Sequence, residues 1–512
     1  MKARLIGALL LMLLGLAVTY GIWLLLPWIL DRKQQETSDA ADLQGKIRVA
    51  ADSWIGYFPL RSPEMKAALR QAGWLLAWED DKADYPGRME RLQKGELDFA
   101  AATVDSYLLN GGQFSYPGII IAVLDESKGG DAILARQERV ASLDDLKGKI
   151  DVKVAFTPAS PSEHLAKAAA DHFNAPELHP PQGPLRLAVN GSEQAKAALL
   201  AGKTDVAVLW EPDVSRALQQ QGIVKLLGTE DTQRLIVDIL LVRREFAQKN
   251  PQLVKLLLSS YFKTLRKYRQ NEALLVRHVR EETGLKEDEV RSMLKGVSWA
   301  SLSDNGEQWF GLNGGEEGLI AAVESAADIL VNAGDFSTSP VPDGNPYRLT
   351  NRAFIEELLA SETAGFTGSK TAQTGAAAFP PLDAAGWAAL KEVGTLKLDP
   401  VIFQQGTAEL DILGKQTVDA AAERLRHYPR FRILIKGHTG LRGDMDENLR
   451  LSLDRADAVS RYLQITHSID PNRLLPLGLG ATKPLAQLPG EPLRAYEYRL
   501  PRVELVLARE DM

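Results

Sequence analysis

The 512-residue chain contains no cysteine. That excludes disulfides, a thiolate nucleophile, cysteine-ligated zinc and a lipid anchor on cysteine. It also fits an oxidising compartment, where a stray thiol is a liability. An excess of positive charge is missing too. Sixty Lys and Arg face 67 Asp and Glu, for a net charge of −7, so there is no basic field to hold nucleic acid. Histidine is sparse: the seven are scattered, and none shows the His-x-x-x-His or His-Glu-x-x-His spacing of a metal site. Gly-x-Ser-x-Gly and P-loop words are absent. The paired carboxylates Asp144-Asp145 and Glu281-Glu282 read as solvated helix faces. No enzymatic activity, no cofactor and no metal site are therefore expected.

Charge is absent altogether from residues 5–30, a run of 26. That exceeds the roughly 20 residues needed to cross a bilayer as a helix. Trp23 and Trp28 suit a membrane interface, and Lys2 and Arg4 hold the N-terminus on the cytoplasmic side. A cleaved signal peptide is the competing reading. Against it, the run ends in bulky residues with no small-x-small site nearby. Residues 1–45 are thus read as a transmembrane anchor and a short polar stalk, with the bulk of the chain outside.

At about 100–200 residues per domain, the length allows two to four domains. The stretch 46–60 sets the pattern for the first part. Ile47, Val49 and Ala51 lie two apart, as in a buried strand, and Asp52-Ser53-Trp54-Ile55-Gly56-Tyr57 is a polar-aromatic loop. A helix pattern follows. Strand, loop, helix is how an open α/β sheet presents a site at the carboxyl end of its strands. Strand and helix patterns alternate as far as about residue 250, which argues for parallel sheets covered by helices. About 310 residues is too many for one open sheet, so two lobes are expected.

Several words in this region carry a resemblance. They are Trp54-Ile-Gly-Tyr57 with Pro59, Lys94-Gly-Glu-Leu-Asp98, Asp125-Glu-Ser-Lys-Gly-Gly-Asp131, Leu143-Asp-Asp-Leu-Lys-Gly148, Trp210-Glu-Pro212 and Val237-Asp238. In this order and spacing, residues 46–360 resemble the periplasmic substrate-binding proteins of nitrate/sulfonate/taurine-type ABC importers. The resemblance implies a two-lobed type II periplasmic-binding-protein fold. Its second lobe would run from about 137 to 236, with strand crossings near 130–142 and 236–242. A cleft for a small, sulfonate- or nitrate-like anion needs donors and walls. Ser53, Trp54, Tyr57, Thr103, Asp105, Ser127, Ser160, Trp210 and Glu211 are the candidates. Glu211 and Asp105 would instead suit a ligand ammonium. The Asp125–Asp131 run reads as a structured turn rather than a direct contact.

Residues 361–392 are rich in Ala, Gly, Thr and Ser and read as a flexible linker. From 393 to 512 a different, α+β pattern begins. Gly437-His-Thr439, Asn448, Leu451-Ser452, Arg455-Ala456, Val459, Leu477-Gly-Leu-Gly480 with Pro484, and Arg502-Val503-Glu504 make this part resemble the OmpA-like peptidoglycan-binding domains. The resemblance assigns wall binding to Thr439, Asn448, Arg455 and Arg502. One position departs from it. The family usually carries Asp immediately after Gly-His-Thr, to help hold the diaminopimelate of the wall peptide, and this chain has Gly440. The partner arginine of that site remains as Arg455.

The expected whole is a single-pass inner-membrane protein with its bulk in the periplasm. It would capture a small solute by lobe closure, for uptake through an ABC permease or for sensing, and would be tethered to peptidoglycan. The alternative is a structural tether of an envelope complex, with a vestigial or protein-binding two-lobed domain.

Overall fold

The computed structural model describes residues 43–363, 379–404 and 407–510. Among these, no helix is long and apolar enough to cross a membrane. The two longest are amphipathic. Pro251–Gln270 carries Lys255, Lys263, Lys267 and Arg269, and Met445–His467 buries only one stripe. The fold class is corrected accordingly to a two-lobed α/β unit plus an α+β domain. The span expected at 5–30 lies outside the described residues, as do residues 364–378 of the expected linker.

The first lobe is a six-stranded sheet. Its strands are β1 (Gly45–Ala51), β2 (Trp74–Asp80), β3 (Phe99–Thr103), β4 (Gly118–Ser127), β10 (Val237–Arg243) and β11 (Val297–Trp299), in the order β11-β4-β10-β3-β1-β2. β1 pairs in parallel with β2 and β3, whereas β10 runs antiparallel between β3 and β4. Helices cover both faces, so β3 and most of β4 and β10 are buried on both sides. Their near-continuous apolar runs follow from that burial. Local signals set the helix ends: Asp84 caps the Gly87 N–H of helix Tyr85–Lys94, and Gly95 closes that helix at φ 75°.

The second lobe is a five-stranded sheet of β5 (Asp131–Arg136), β6 (Val154–Phe156), β7 (Arg186–Ala188), β8 (Val206–Trp210) and β9 (Ile223–Gly228), in the order β7-β6-β8-β5-β9. The chain crosses between lobes twice, at 128–130 and at 229–236. The run 236–242, expected as a crossing, is instead mostly β10 in the centre of the first sheet, because its apolar residues are buried on both faces. Thr229 ties the two crossings together: its Oγ1 lies 2.8 Å from Ser127 Oγ and accepts from Gly129 N and Asp131 N.

The third unit is a four-stranded sheet of β12 (Lys391–Thr395), β13 (Arg432–His438), β14 (Leu474–Gly478) and β15 (Arg502–Arg509), in the order β12-β15-β13-β14. Helices Ile412–Arg426 and Met445–His467 pack on it. Two glycines set that packing distance. A Cβ on Gly437 would stand 2.0 Å from the Ser452 carbonyl oxygen, and one on Gly478 would stand 2.6 Å from that of Leu449.

This unit is docked on the second lobe. The two share one apolar core, in which Phe173 meets Tyr428 edge-on at 5.2 Å. Main chain joins main chain through Leu143 N to Val393 O, Lys397 N to His172 O and Gln233 N to His427 O. His172 bonds the Tyr428 hydroxyl and stacks on His427, and burial depresses the basicity of both rings. Like the Gln233 bond, further contacts reach beyond the second lobe. Arg509 pairs with Asp231 in the second crossing, and His427 meets Ser325 on the first-lobe helix Gly318–Asn332.

Candidate functional site

The carboxyl ends of β1, β3 and β8 and the start of β5 and β10 open onto one cavity of about 670 Å³ between the lobes. Such a volume suits a small organic molecule. The β1 end supplies Asp52, Ser53, Trp54 and, one helical turn on, Tyr57. Trp54 is half-buried and donates its indole N–H to Asp125 Oδ1 at 3.1 Å. Gly56 makes room for that contact: a Cβ there would lie 2.3 Å from both Trp54 Nε1 and Asp125 Oδ2. The close approach that Gly56 allows is therefore to the protein's own side chains. Tyr57 is buried and donates its hydroxyl to Asp238.

The other expected residues divide into two groups. Ser53, Thr103, Trp210 and Glu211 line the cavity with Trp54 and Tyr57. Thr103 also caps helix Val104–Gly111 in a reciprocal pair with Ser106. Glu211 accepts from the Ser215 N–H and hydroxyl. Asp105, Ser127 and Ser160 stand outside the lining. Asp105 is buried in the first turn of helix Val104–Gly111, with Oδ1 lacking a hydrogen bond. Ser127 donates to Asp131 Oδ2 at 2.6 Å, and Ser160 donates to the Thr157 carbonyl.

The lining also contains Asp52, Tyr85, Asp131 and Asp238, which were not among the expected contacts. Asp131 is 4% exposed, and burial pushes its carboxyl up to about 7. Asp125 and Asp238 are neighbours on β4 and β10. Burial and mutual repulsion raise Asp238 well above the ordinary carboxylate range. Burial also raises Glu211. Across the mouth, Ser215 Oγ of the second lobe lies 3.2 Å from Ser292 Oγ of the first, and Arg216 lies 3.4 Å from Glu289.

In the third unit, Thr439 follows β13, and Asn448 and Arg455 lie two turns apart on helix Met445–His467. The Arg455 guanidinium stacks over Phe403 at 5.1 Å, and its Nε is buried with no hydrogen-bond partner. Thr439 Oγ1 is buried and equally free of a partner. Asn448 donates to the Arg442 carbonyl. Arg502 is engaged with Glu504, whose other oxygen lies 3.3 Å from His438 Nε2. At Gly440 a Cβ would meet nothing within 4 Å.

Comparison with known proteins separates the two parts. Residues 402–494 match the OmpA family. The probable lipoprotein YiaD of Escherichia coli (strain K12) is 37% identical over 86 residues, 17% of this chain and 39% of that protein. The peptidoglycan-associated lipoprotein of Rhizobium meliloti (strain 1021) is 32% identical over 88 residues, 17% of this chain and 49% of that protein. The chain thus spans less than half the length of these relatives. The periplasmic aliphatic sulphonate binding protein SsuA of Escherichia coli superposes with a TM-score of 0.45 at 19% identity, over 57% of this chain and 89% of that one. The periplasmic nitrate-binding protein NrtA of Synechocystis PCC 6803 gives 0.46 at 15%, over 62% and 89%. The chain has a two-lobed α/β unit and, over residues 402–494, a match to the OmpA family.

Proposed function

We propose that the protein captures a small solute between its lobes in the cell envelope and holds to the cell wall through its OmpA-like domain. The observation that supports capture is the cavity itself. It lies at the strand ends of both sheets, and contacts across its mouth link groups on opposite lobes. A solute touching both lobes favours the closed state by its differential affinity. The unpartnered Arg455 guanidinium supports wall binding, since an arginine fork holds a carboxylate in two parallel bonds. Delivery to an ABC-type permease and signalling of occupancy are two outputs of the same closure.

The test uses the absence of cysteine. Ser215→Cys with Ser292→Cys places one thiol pair across the mouth, the only pair in the chain. Oxidation in periplasmic extract should trap a small molecule through gel filtration, and reduction should release it. Recovery of the same molecules from oxidised and reduced protein, or of none, contradicts solute capture. A second reading, a wall-side strut, is favoured by the docking of the OmpA-like domain on the second lobe. It predicts wall binding with no trapped molecule.

A further inference from the structure

Six acidic residues line the interlobe cavity (Asp52, Asp131, Glu193, Glu211, Asp213 and Asp238) against two basic ones, Lys82 and Arg216. Both basic residues stand at the rim, and each has a partner: Lys82 pairs with Asp80 and Arg216 with Glu289. Deeper in, Arg88 is fully buried. It is held by Asp81, Asp52 and the Ala101 carbonyl, so only Asp52 and Asp81 are balanced by it. Lys196 serves Asp213 and Lys225 serves Glu230. Among the described residues no lysine or arginine pairs with Asp131, Asp238 or Glu211.

A set of acids alone marks no ligand; the state of Asp131 is a separate observation. It faces the cavity, is 4% exposed, and has one oxygen on Ser127. No donor among the described residues meets the other oxygen. A buried carboxylate with a free oxygen turned toward an aromatic-walled space is a receptor for a donor the chain does not supply. Trp54, Tyr57, Tyr85 and Trp210 form those walls, and the faces of such rings attract ammonium groups. No group of three or more histidine, aspartate or glutamate side chains among the described residues is placed to hold a metal ion, so a bare metal is not the complement. Helix Ser192–Leu200 also points its N-terminus at the space, but Glu193 in its first turn already offsets that end.

We propose that the solute captured in this cavity is an organic cation, an amine whose ammonium donates to Asp131 and lies against Trp54 and Trp210, rather than a sulfonate or nitrate. This rests on the solute-capture reading and names the class of solute. An anion placed there would face Asp131, Asp238 and Glu211 with no buried cation to receive it. An ammonium instead supplies the missing donor and offsets the repulsion among the acids. The groups facing Asp131 are Asp52 from the β1 end, Asp105 from helix Val104–Gly111, Asp125 and Ser127 from β4, Asp238 from β10, Glu211 from the β8 end, and Thr229 from the second crossing. Burial raises its carboxyl and the neighbouring acids add to the rise, against the Ser127 hydrogen bond. Near pH 6 the site holds protons that an arriving cation expels.

The test is titration calorimetry on the purified full chain with putrescine and benzylamine, set against butanesulfonate and nitrate. At least one amine should bind, with proton release near pH 6 that is read from buffers of different ionisation enthalpy. Asp131→Asn keeps the Ser127 bond and should weaken that amine about 10-fold or more. Glu211→Gln should weaken it as well, and circular dichroism should report both variants folded. Binding of butanesulfonate or nitrate without any amine overturns the cation proposal and leaves solute capture standing. Binding of neither class overturns both. An amine that binds the Asp131→Asn and Glu211→Gln variants as well as the parent overturns the assignment of the site.

Discussion

An ionisable group kept buried and unpaired strains the unliganded protein, and Asp131 allows that strain to be measured. Its carboxyl titrates at about 7 in the fold, against an ordinary 3.8. Between those values the folded state binds a proton that the unfolded chain has released. Stability therefore falls as pH rises from about 4 to about 7 and then levels off. A displacement from 3.8 to about 7 makes the full loss ~4 kcal/mol. Asp131→Asn removes the titrating group and preserves the acceptor for Ser127. Relative to the parent, the variant should be similar or slightly weaker at pH 4 and more stable by up to about 4 kcal/mol at pH 8. Urea unfolding followed by tryptophan fluorescence measures both, because Trp54 and Trp210 border the site. Asp125 and Asp238 titrate in both proteins and feel the Asp131 charge, so the difference reports Asp131 together with the repulsion it exerts on them. A difference that stays constant from pH 4 to pH 8 would refute the claim that Asp131 is buried without a counter-charge.

The domain interface titrates in the opposite sense. His172 is depressed to about 3 by burial and by His427 beside it, so its contribution is complete above pH 6.5 and is lost as pH falls toward 3. By pH 5 this amounts to about 2 kcal/mol, and small-angle scattering should show the OmpA-like domain leaving the second lobe. Arg509→Ala leaves Asp231 without its partner and should loosen the same interface by about 1–3 kcal/mol, measured as faster proteolytic release of the C-terminal domain. Arg455→Ala should cut peptidoglycan pull-down by about 10-fold; equal retention would remove Arg455 from the wall site. Gly440→Asp has space for its side chain, should fold normally, and should strengthen binding to diaminopimelate-containing wall.

Local periodicity made the larger architecture legible. Alternating apolar strands and helices marked two covered sheets. The Gly437 and Gly478 positions, read as words of a resemblance, prove to be the places where helix Met445–His467 touches the sheet backbone. The β1 loop was legible for the same reason: Trp54 and Tyr57 follow directly from the strand they terminate. The docking of the third unit was not legible. It is made by Phe173, Tyr428, His172 and Val393, residues that look like ordinary core in their own segments and are far apart in sequence. A tract of Ala, Gly, Thr and Ser says that two units can separate; it does not say whether they do.

The charge of the cavity was hidden by a similar ambiguity. Asp131 and Asp238 were read as turn and family words, whereas each is a single acid at the edge of an apolar strand. Asp238 is flanked by Val237 and Ile239, and Asp131 precedes Ala132-Ile133-Leu134. A lone carboxylate in such a run enters the interior with its strand. It must then find a cation, keep a proton or face a cavity, because an unpaired buried charge costs several kcal/mol. Arg88 answers that demand for Asp52 and Asp81. Nothing equivalent answers it for Asp131. Candidates chosen for hydroxyl donors find Ser127 and Ser160, which the fold spends on its own turns. Candidates chosen as acids without a base in reach find the residues that surround the cavity. In an α/β cleft, the solute's charge is read better from the ion pairs the protein leaves unmade than from the hydroxyls it displays.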